Sequence, residues 1–166
     1  AALAVRPDLK LWASPWCPPT WMKYNKHYAC MYQDPETVQK NMRQLGVDDN
    51  ITTVNHLTPD QQGAEGADMF IQKPEYLKAY ALYFKKFIEA YRSEGIHIDM
   101  VAPQNEFNSC QVFPSCIWTA ESLSRFVGAY LGPEMQRLGV KILFGTMERK
   151  NDLMIDTVMK SEAGKY

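Results

Sequence analysis

The stretch from residue 98 to residue 106 places an amide and a carboxyl group directly after an apolar run. Residues 98–102 read Ile-Asp-Met-Val-Ala, and Asn105 and Glu106 follow after a Pro-Gln pair. A carboxyl group at the end of a buried strand loses hydration, which favours its protonated form. Such a group can protonate a leaving oxygen and later deprotonate a water. The pair therefore indicates general acid/base chemistry, with Asn105 suited to bind a nearby hydroxyl group. The alternative is a carboxylate that only caps the local turn.

Two tryptophans follow an earlier apolar run at residues 9–13. Trp16 and Trp21 lie in a proline-rich stretch, residues 14–21, where regular structure is not expected. A flat apolar indole face with one polar N–H suits the C–H face of a sugar ring. Both are candidates for a sugar-binding surface, with core packing as the alternative for each. For Trp118, core packing is the better interpretation.

A third apolar run, residues 140–144, is followed by Thr146, Glu148 and Arg149. Glu148 is a candidate substrate-binding residue. The alternative is that Arg149 or a neighbouring lysine merely holds it at the surface. If the three runs are parallel strands, their carboxyl ends lie at one edge of the sheet, and the polar groups converge there.

The three apolar runs alternate with helical patterns, so the sequence predicts three β/α units. Apolar residues recur at spacings of three and four between residues 77 and 91. Thr119 is a plausible N-cap of the next helix, which Gly132-Pro133 should kink or break. A long connection, residues 22–74, contains a short helix between Asp34 and Gly46. Alternation of this kind favours parallel strands covered by helices, an α/β fold.

An open doubly wound sheet and a (β/α)8 TIM barrel both accommodate this pattern. The polar and aromatic residues at each strand end favour the barrel, in which chemistry lies at the carboxyl ends of the strands. Residues 1–166 then form a single segment of a barrel, because three units are fewer than a barrel needs.

The composition excludes several classes of function. A net charge of -1 over 166 residues provides no basic stripe for nucleic acid. No apolar run approaches the roughly 20 residues of a membrane span. No Cys or His spacing predicts a metal site, and no cofactor is expected. The four cysteines leave three pairings open, and Cys110 and Cys116 could close a small loop or remain free thiols. Residues 50–52, Asn-Ile-Thr, form a glycosylation sequon.

Three stretches of the chain resemble glycoside hydrolase family 30. They are LKLWASPWCPPTWMK at 9–23, APQNEF at 102–107 and ILFGTMER at 142–149. That family includes glucosylceramidases, β-1,6-glucanases, β-glucosidases and xylan-active enzymes. The resemblance implies a portion of a (β/α)8 TIM barrel, covering roughly strands three to five.

The resemblance also implies the function of a retaining β-glycoside hydrolase. Glu106 would be the general acid/base, Asn105 would contact the 2-hydroxyl of the sugar, and Trp16 would line the sugar subsite. The substrate would be a β-linked carbohydrate or glycolipid, and the protein would be secreted or periplasmic. The family's nucleophile is a second Glu on a later strand. It would lie outside this chain, so the isolated segment is expected to be inactive without the remainder of the barrel.

One departure from the family pattern is Phe107, where the family usually has a proline. Proline would stiffen the turn that carries Glu106, so the orientation of Glu106 depends here on other contacts. Two further functions stay open. One is a non-catalytic carbohydrate-binding or scaffolding segment. The other, an open nucleotide-binding fold, ranks last because no glycine-rich phosphate motif follows any strand.

Overall fold

The computed structural model describes residues 2–44, 46 and 55–166. The helices are α1 (Ala2–Val5), α2 (Pro35–Gln44), α3 (Pro74–Ser93), α4 (Ala120–Phe126), α5 (Gly132–Leu138) and α6 (Asp152–Met159). The strands are β1 (Trp12–Ala13), β2 (Met100–Val101) and β3 (Lys141–Ile142). Short 3-10 turns cover Thr20–Met22, Pro59–Gln61 and Glu162–Lys165.

The strands form one parallel sheet in the order β1-β2-β3, which confirms the predicted α/β arrangement. Ala13 pairs with Val101, and Val101 pairs with Ile142. Asp99 adds a side-chain tie, because its Oδ2 accepts a hydrogen bond of 3.0 Å from the N–H of Leu11. That bond, followed by one from Lys10, holds the pKa of the Asp99 carboxyl below its ordinary value.

The regular strands are shorter than the predicted runs 9–13, 98–102 and 140–144, since only two residues of each lie in the paired ladder. Pro15 and Pro103 lack the N–H that would extend the ladder. Gly145, with φ of 128°, turns the chain beyond β3. An isolated parallel bridge between Asn105 and Thr146 resumes the pairing beyond these breaks.

An aromatic core covers one face of the sheet. Phe70 stacks on Trp118 with ring centroids 4.5 Å apart, and Trp118 lies 5.3 Å from Phe126. The predicted apolar face of α3 packs against this cluster through Tyr80, which is fully buried. Trp118 is likewise fully buried, so its predicted role in the core is confirmed.

The helix after Thr119 begins as predicted, with Thr119 Oγ1 accepting a bond of 3.2 Å from the N–H of Ser122. At Gly132-Pro133, where the sequence predicts a kink or a break, the helix does not break. The chain instead passes through a π turn at Val127–Leu131 and continues as α5, which ends at Gly139. The wider turn redistributes the backbone bonds before the proline, whose missing N–H would otherwise interrupt the helix.

The connection from β1 to α3 is tied to the core rather than detached from it. Lys23 and Phe70 form an antiparallel bridge across its two ends. The predicted helix starts after Asp34, whose Oδ2 accepts a bond of 2.9 Å from Thr37 N. The sequon at residues 50–52 lies outside the described residues.

Candidate active site

Glu106 follows β2 in a tight turn with a left-handed backbone, φ 45°. This conformation is uncommon for a residue with a Cβ. The N–H of Glu106 donates to Thr146 Oγ1 at 3.0 Å, which joins the turn to the segment after β3. The residue is half-buried. Its carboxyl group therefore lies at the carboxyl edge of the sheet, as predicted, on a strained backbone held by a neighbouring strand end.

Asn105 is fixed from both neighbouring strand ends. Its N–H donates to Pro15 O at 2.9 Å, and its Oδ1 accepts from Thr146 Oγ1 at 2.9 Å. Within the described part of the chain, Asn105 Nδ2 donates to no protein acceptor. The amide is thus oriented through its oxygen, and its two N–H groups have no acceptor among the described residues.

Trp16 is brought to the same edge by Gln104. The buried Gln104 donates through Nε2 to Trp16 O at 2.8 Å and to Asn105 O at 2.9 Å. The indole ring is 49% exposed and lies 5.5 Å from the ring of Phe113. Trp16 thus presents an exposed aromatic face next to the Asn105–Glu106 turn, and its role as a sugar platform stays a prediction.

Trp21 lies in the 3-10 turn Thr20–Met22 and is 57% exposed. Its ring contacts Tyr76 in the first turn of α3, with centroids 5.7 Å apart. The ring of Trp21 therefore packs against α3 and not against Trp16. The substrate-binding role of Trp21 stays a prediction.

Glu148 forms an ion pair of 2.9 Å with Arg149. Arg149 also contacts Glu65 at 2.5 Å and holds the pKa of the Glu65 carboxyl below its ordinary value. The N–H of Glu148 donates to Asn108 Oδ1 at 3.1 Å. These contacts tie the loops after the three strands together, and they fit the surface alternative for Glu148 as well as a substrate contact.

Phe107 stabilises the turn without the family's usual proline. Its side chain is fully buried and meets Phe144 edge-on at 5.7 Å. Its carbonyl accepts a bond of 2.9 Å from the N–H of Trp118, in the aromatic core. The turn is therefore anchored by packing on the residue directly after Glu106.

Two residues of the site carry no sequence signal. Gln111 donates through Nε2 to Glu106 Oε2, although it lies in a loop without periodicity. Lys23 is fully buried, and its Nζ donates to the carbonyls of Ser115, Tyr28 and Ala29 at 2.7, 3.1 and 3.2 Å. A lysine in a polar loop is expected to be exposed, so only the fold reveals these three carbonyls around Nζ, called here the Lys23 cage.

The four cysteines are free thiols, and Cys110 and Cys116 do not form a disulfide in this structure. Burial raises the pKa of the Cys110 thiol to about 11 and that of the Cys116 thiol well above its ordinary value. Among the described residues, no group of three or more His, Cys, Asp or Glu could hold a metal ion. Over the same residues, no helix is long and apolar enough to cross a membrane.

The chain is similar in sequence to several known proteins. No protein-family model matches the chain. An endo-1,6-β-D-glucanase of Aspergillus fumigatus is 26% identical, over 98% of this chain and 29% of that protein. A Caenorhabditis elegans protein whose name places it among the glucosylceramidases is 27% identical, over 96% and 26%. The chain spans less than a third of the length of these relatives.

Solved structures show the same fold. An endo-β-1,6-glucanase superposes with a TM-score of 0.64 at 24% identity, covering 99% of this chain and 31% of that one. A glycoside hydrolase family 30 subfamily 8 xylanase from Clostridium acetobutylicum gives 0.62 at 21% identity, covering 95% and 31%. The fold is therefore a portion of a TIM barrel, as predicted. The resemblance to glycoside hydrolase family 30 is confirmed by both sets of relatives.

Proposed function

We propose that this chain is the acid/base-bearing segment of a retaining β-glycoside hydrolase. The observation that carries the proposal is the Asn105–Glu106 turn, which Thr146 fixes at the carboxyl edge of the sheet beside Trp16. This edge is where enzymes with barrel folds place their chemistry. The relatives named as glucanases and glucosylceramidases support the same class of reaction.

Each residue then has a defined part in the reaction. Glu106 protonates the glycosidic oxygen in the first step and removes a proton from water in the second. Asn105 donates through Nδ2 to the hydroxyl next to the reacting carbon. Trp16 presents its exposed face to the sugar ring. Positive charge that develops on the sugar strengthens its contact with the electron-rich indole face of Trp16, which favours the transition state over the bound substrate.

Retention of configuration needs a second carboxyl group about 5 Å from the first. We propose that a strand outside these 166 residues supplies it. Glu148 is paired with Arg149, and Glu162 is paired with Lys165 at 2.6 Å near the end of the chain. Neither is proposed as the nucleophile. The segment alone is accordingly expected to be inactive, and the remainder of the barrel is its necessary partner.

The substrate we propose carries a β-glucosidic linkage, with β-1,6-glucan and glucosylceramide as the two candidates. Both candidates follow from the names of the relatives. We also propose that the protein is secreted or periplasmic, because a glucan outside the cytoplasm is reached only by an enzyme that is exported. Comparing turnover of β-1,6-glucan with that of glucosylceramide by the full-length protein discriminates between them.

The test is Glu106→Gln in the full-length protein, with Glu121→Gln on the exposed start of α4 as the matched control. Loss of general acid catalysis should lower kcat/KM on β-1,6-linked glucose oligosaccharides by about 10²- to 10⁴-fold. For 2,4-dinitrophenyl β-glucoside, kcat/KM should fall far less, because dinitrophenolate can leave in the first step without being protonated. Near wild-type activity on the oligosaccharide would contradict the assignment. A wild-type protein that binds oligosaccharide without cleaving it would favour a non-catalytic carbohydrate-binding segment.

A further inference from the structure

The segment from Cys110 to Ser115, called here the Gln111 loop, touches the site at two points. Gln111 Nε2 donates to Glu106 Oε2. Two residues further, the ring of Phe113 lies 5.5 Å from that of Trp16. The loop therefore contacts both the proposed acid and the proposed sugar platform.

The backbone of the Gln111 loop is held in place by the segment at residues 23–31, so the position of the Gln111 side chain is set before any ligand arrives. Its hydrogen bonds run from Cys30 N and Met31 N to Gln111 O (3.0 and 2.9 Å), from Ser115 N to Tyr28 O (3.0 Å), and from Lys23 Nζ to Ser115 O (2.7 Å). A loop anchored at both ends can orient a partner side chain at little entropic cost.

The contact with Gln111 makes the two oxygens of Glu106 unequal. Oε2 accepts the bond from Gln111. Oε1 has no hydrogen-bond partner among the residues that the structure describes. The backbone N–H of Glu106 is bound to Thr146 Oγ1. Thr146 thus holds the backbone of Glu106, Gln111 holds one oxygen of its carboxyl group, and the other oxygen is free of protein partners among the described residues.

We propose that Gln111 is a positioning residue that orients Glu106 so that Oε1 carries the proton to the leaving oxygen. Its N–H also stabilises the carboxylate that remains once the proton has moved to the departing alcohol. This inference rests on the proposed function of Glu106 and adds to it a residue on a separate loop. Gln111 acts through Glu106 and does not exchange a proton itself, because an amide N–H is too weak an acid.

The consequence can be measured in the pH dependence of kcat/KM, whose alkaline limb reports loss of the acid's proton in the free enzyme. A hydrogen bond donated to a carboxylate favours the ionised form over the protonated one. Removing the donor should therefore move the alkaline limb to higher pH. A change that merely loosens the fold would leave the limb in place.

The experiment uses the full-length protein with Gln111→Met, which keeps the length of the side chain but removes the donor. Gln62→Met is the matched control, since Gln62 contacts Cys110 Sγ in the same loop but not Glu106. In Gln111→Met the alkaline limb on β-1,6-linked glucose oligosaccharides should lie at higher pH than in the wild-type protein. At the pH optimum kcat/KM should fall about tenfold on the oligosaccharides and less than about twofold on 2,4-dinitrophenyl β-glucoside. In Gln62→Met the limb should not move.

Gln111→Glu supplies a second measurement. A carboxylate beside Glu106 disfavours ionisation of the pair, so this variant should also raise the alkaline limb. An unmoved limb in both Gln111 variants, or an equal loss on both substrates, would overturn the proposal while leaving Glu106 as the acid. A fully active Glu106→Gln variant would instead overturn the proposed function itself, whatever the Gln111 variants show.

Discussion

One hydroxyl group connects the two residues on which the proposed chemistry depends. Thr146 Oγ1 donates to Asn105 Oδ1 and accepts from the N–H of Glu106. A left-handed backbone at a residue with a Cβ costs roughly 1–2 kcal/mol, and the bond from Thr146 helps to hold Glu106 in it. Strain kept in place by neighbouring contacts is typical of functional sites.

Thr146→Val tests this connection, because valine has nearly the shape of threonine but cannot form either bond. We expect kcat/KM of the full-length protein to fall about 10- to 100-fold through loss of orientation. Stability should fall by only about 1 kcal/mol. Thr157→Val is the control, since its hydroxyl bonds Leu153 O on the exposed α6. Unchanged kcat/KM in Thr146→Val would show that the hydroxyl does not position the pair.

The connection between β1 and α3 helps to hold the Gln111 loop in place. Lys23, at the start of this connection, donates from a fully buried ammonium group to the carbonyls of Ser115, Tyr28 and Ala29. No carboxylate contacts this ammonium in the part of the chain that the structure describes. One side chain thus links three backbone carbonyls that lie in two separate segments of the chain. The cage therefore joins the connection to the Gln111 loop.

Lys23→Met removes the three hydrogen bonds from the ammonium group, although each carbonyl keeps a second donor. We expect the free energy of unfolding to fall by about 3 kcal/mol, because several buried hydrogen bonds to a charged group are lost. Lys86→Met, on the exposed face of α3, should change it by less than about 0.5 kcal/mol. Chemical unfolding of the full-length protein provides both values. Equal stability of the two variants would mean that the cage contributes nothing to the fold.

The sequence predicts those elements that have their own local pattern. The spacing of apolar residues identifies α3, and Thr119 marks the start of α4. The strand positions follow from three apolar runs, although Pro15 and Pro103 shorten the paired ladder. Asn105 and Glu106 are found because they end such a run.

What the sequence does not predict depends on contacts between segments that are far apart. Gln111 and Lys23 lie in loops, where no periodicity distinguishes a buried side chain from an exposed one. The π turn lies directly before Gly132-Pro133, but this dipeptide alone does not indicate whether a helix kinks, breaks or widens. Loop contacts of this kind are set by the whole fold, so only a structure identifies them.

Viewed as a whole, the molecule brings three strand ends to one edge and joins them through side chains there. Asn105 bonds the backbone beyond β1 and the side chain of Thr146 beyond β3. The chain covers about 30% of the structures that it resembles. In the proposed function Glu106 would provide one of the two carboxyl groups that retention requires, and a strand outside these 166 residues would provide the other.

Chemical rescue is the sharpest test of the proposed role of Glu106 as the general acid/base of a retaining mechanism. In Glu106→Ala of the full-length protein, 2,4-dinitrophenyl β-glucoside should still form the glucosyl-enzyme. This intermediate should then accumulate, because water reacts slowly without a general base. Azide is a nucleophile that needs no base, so adding it should raise turnover at least about tenfold. Proton NMR should identify the product as β-glucosyl azide. Absence of rescue, or formation of the α-anomer of glucosyl azide, would show that Glu106 is not the general acid/base of a retaining enzyme.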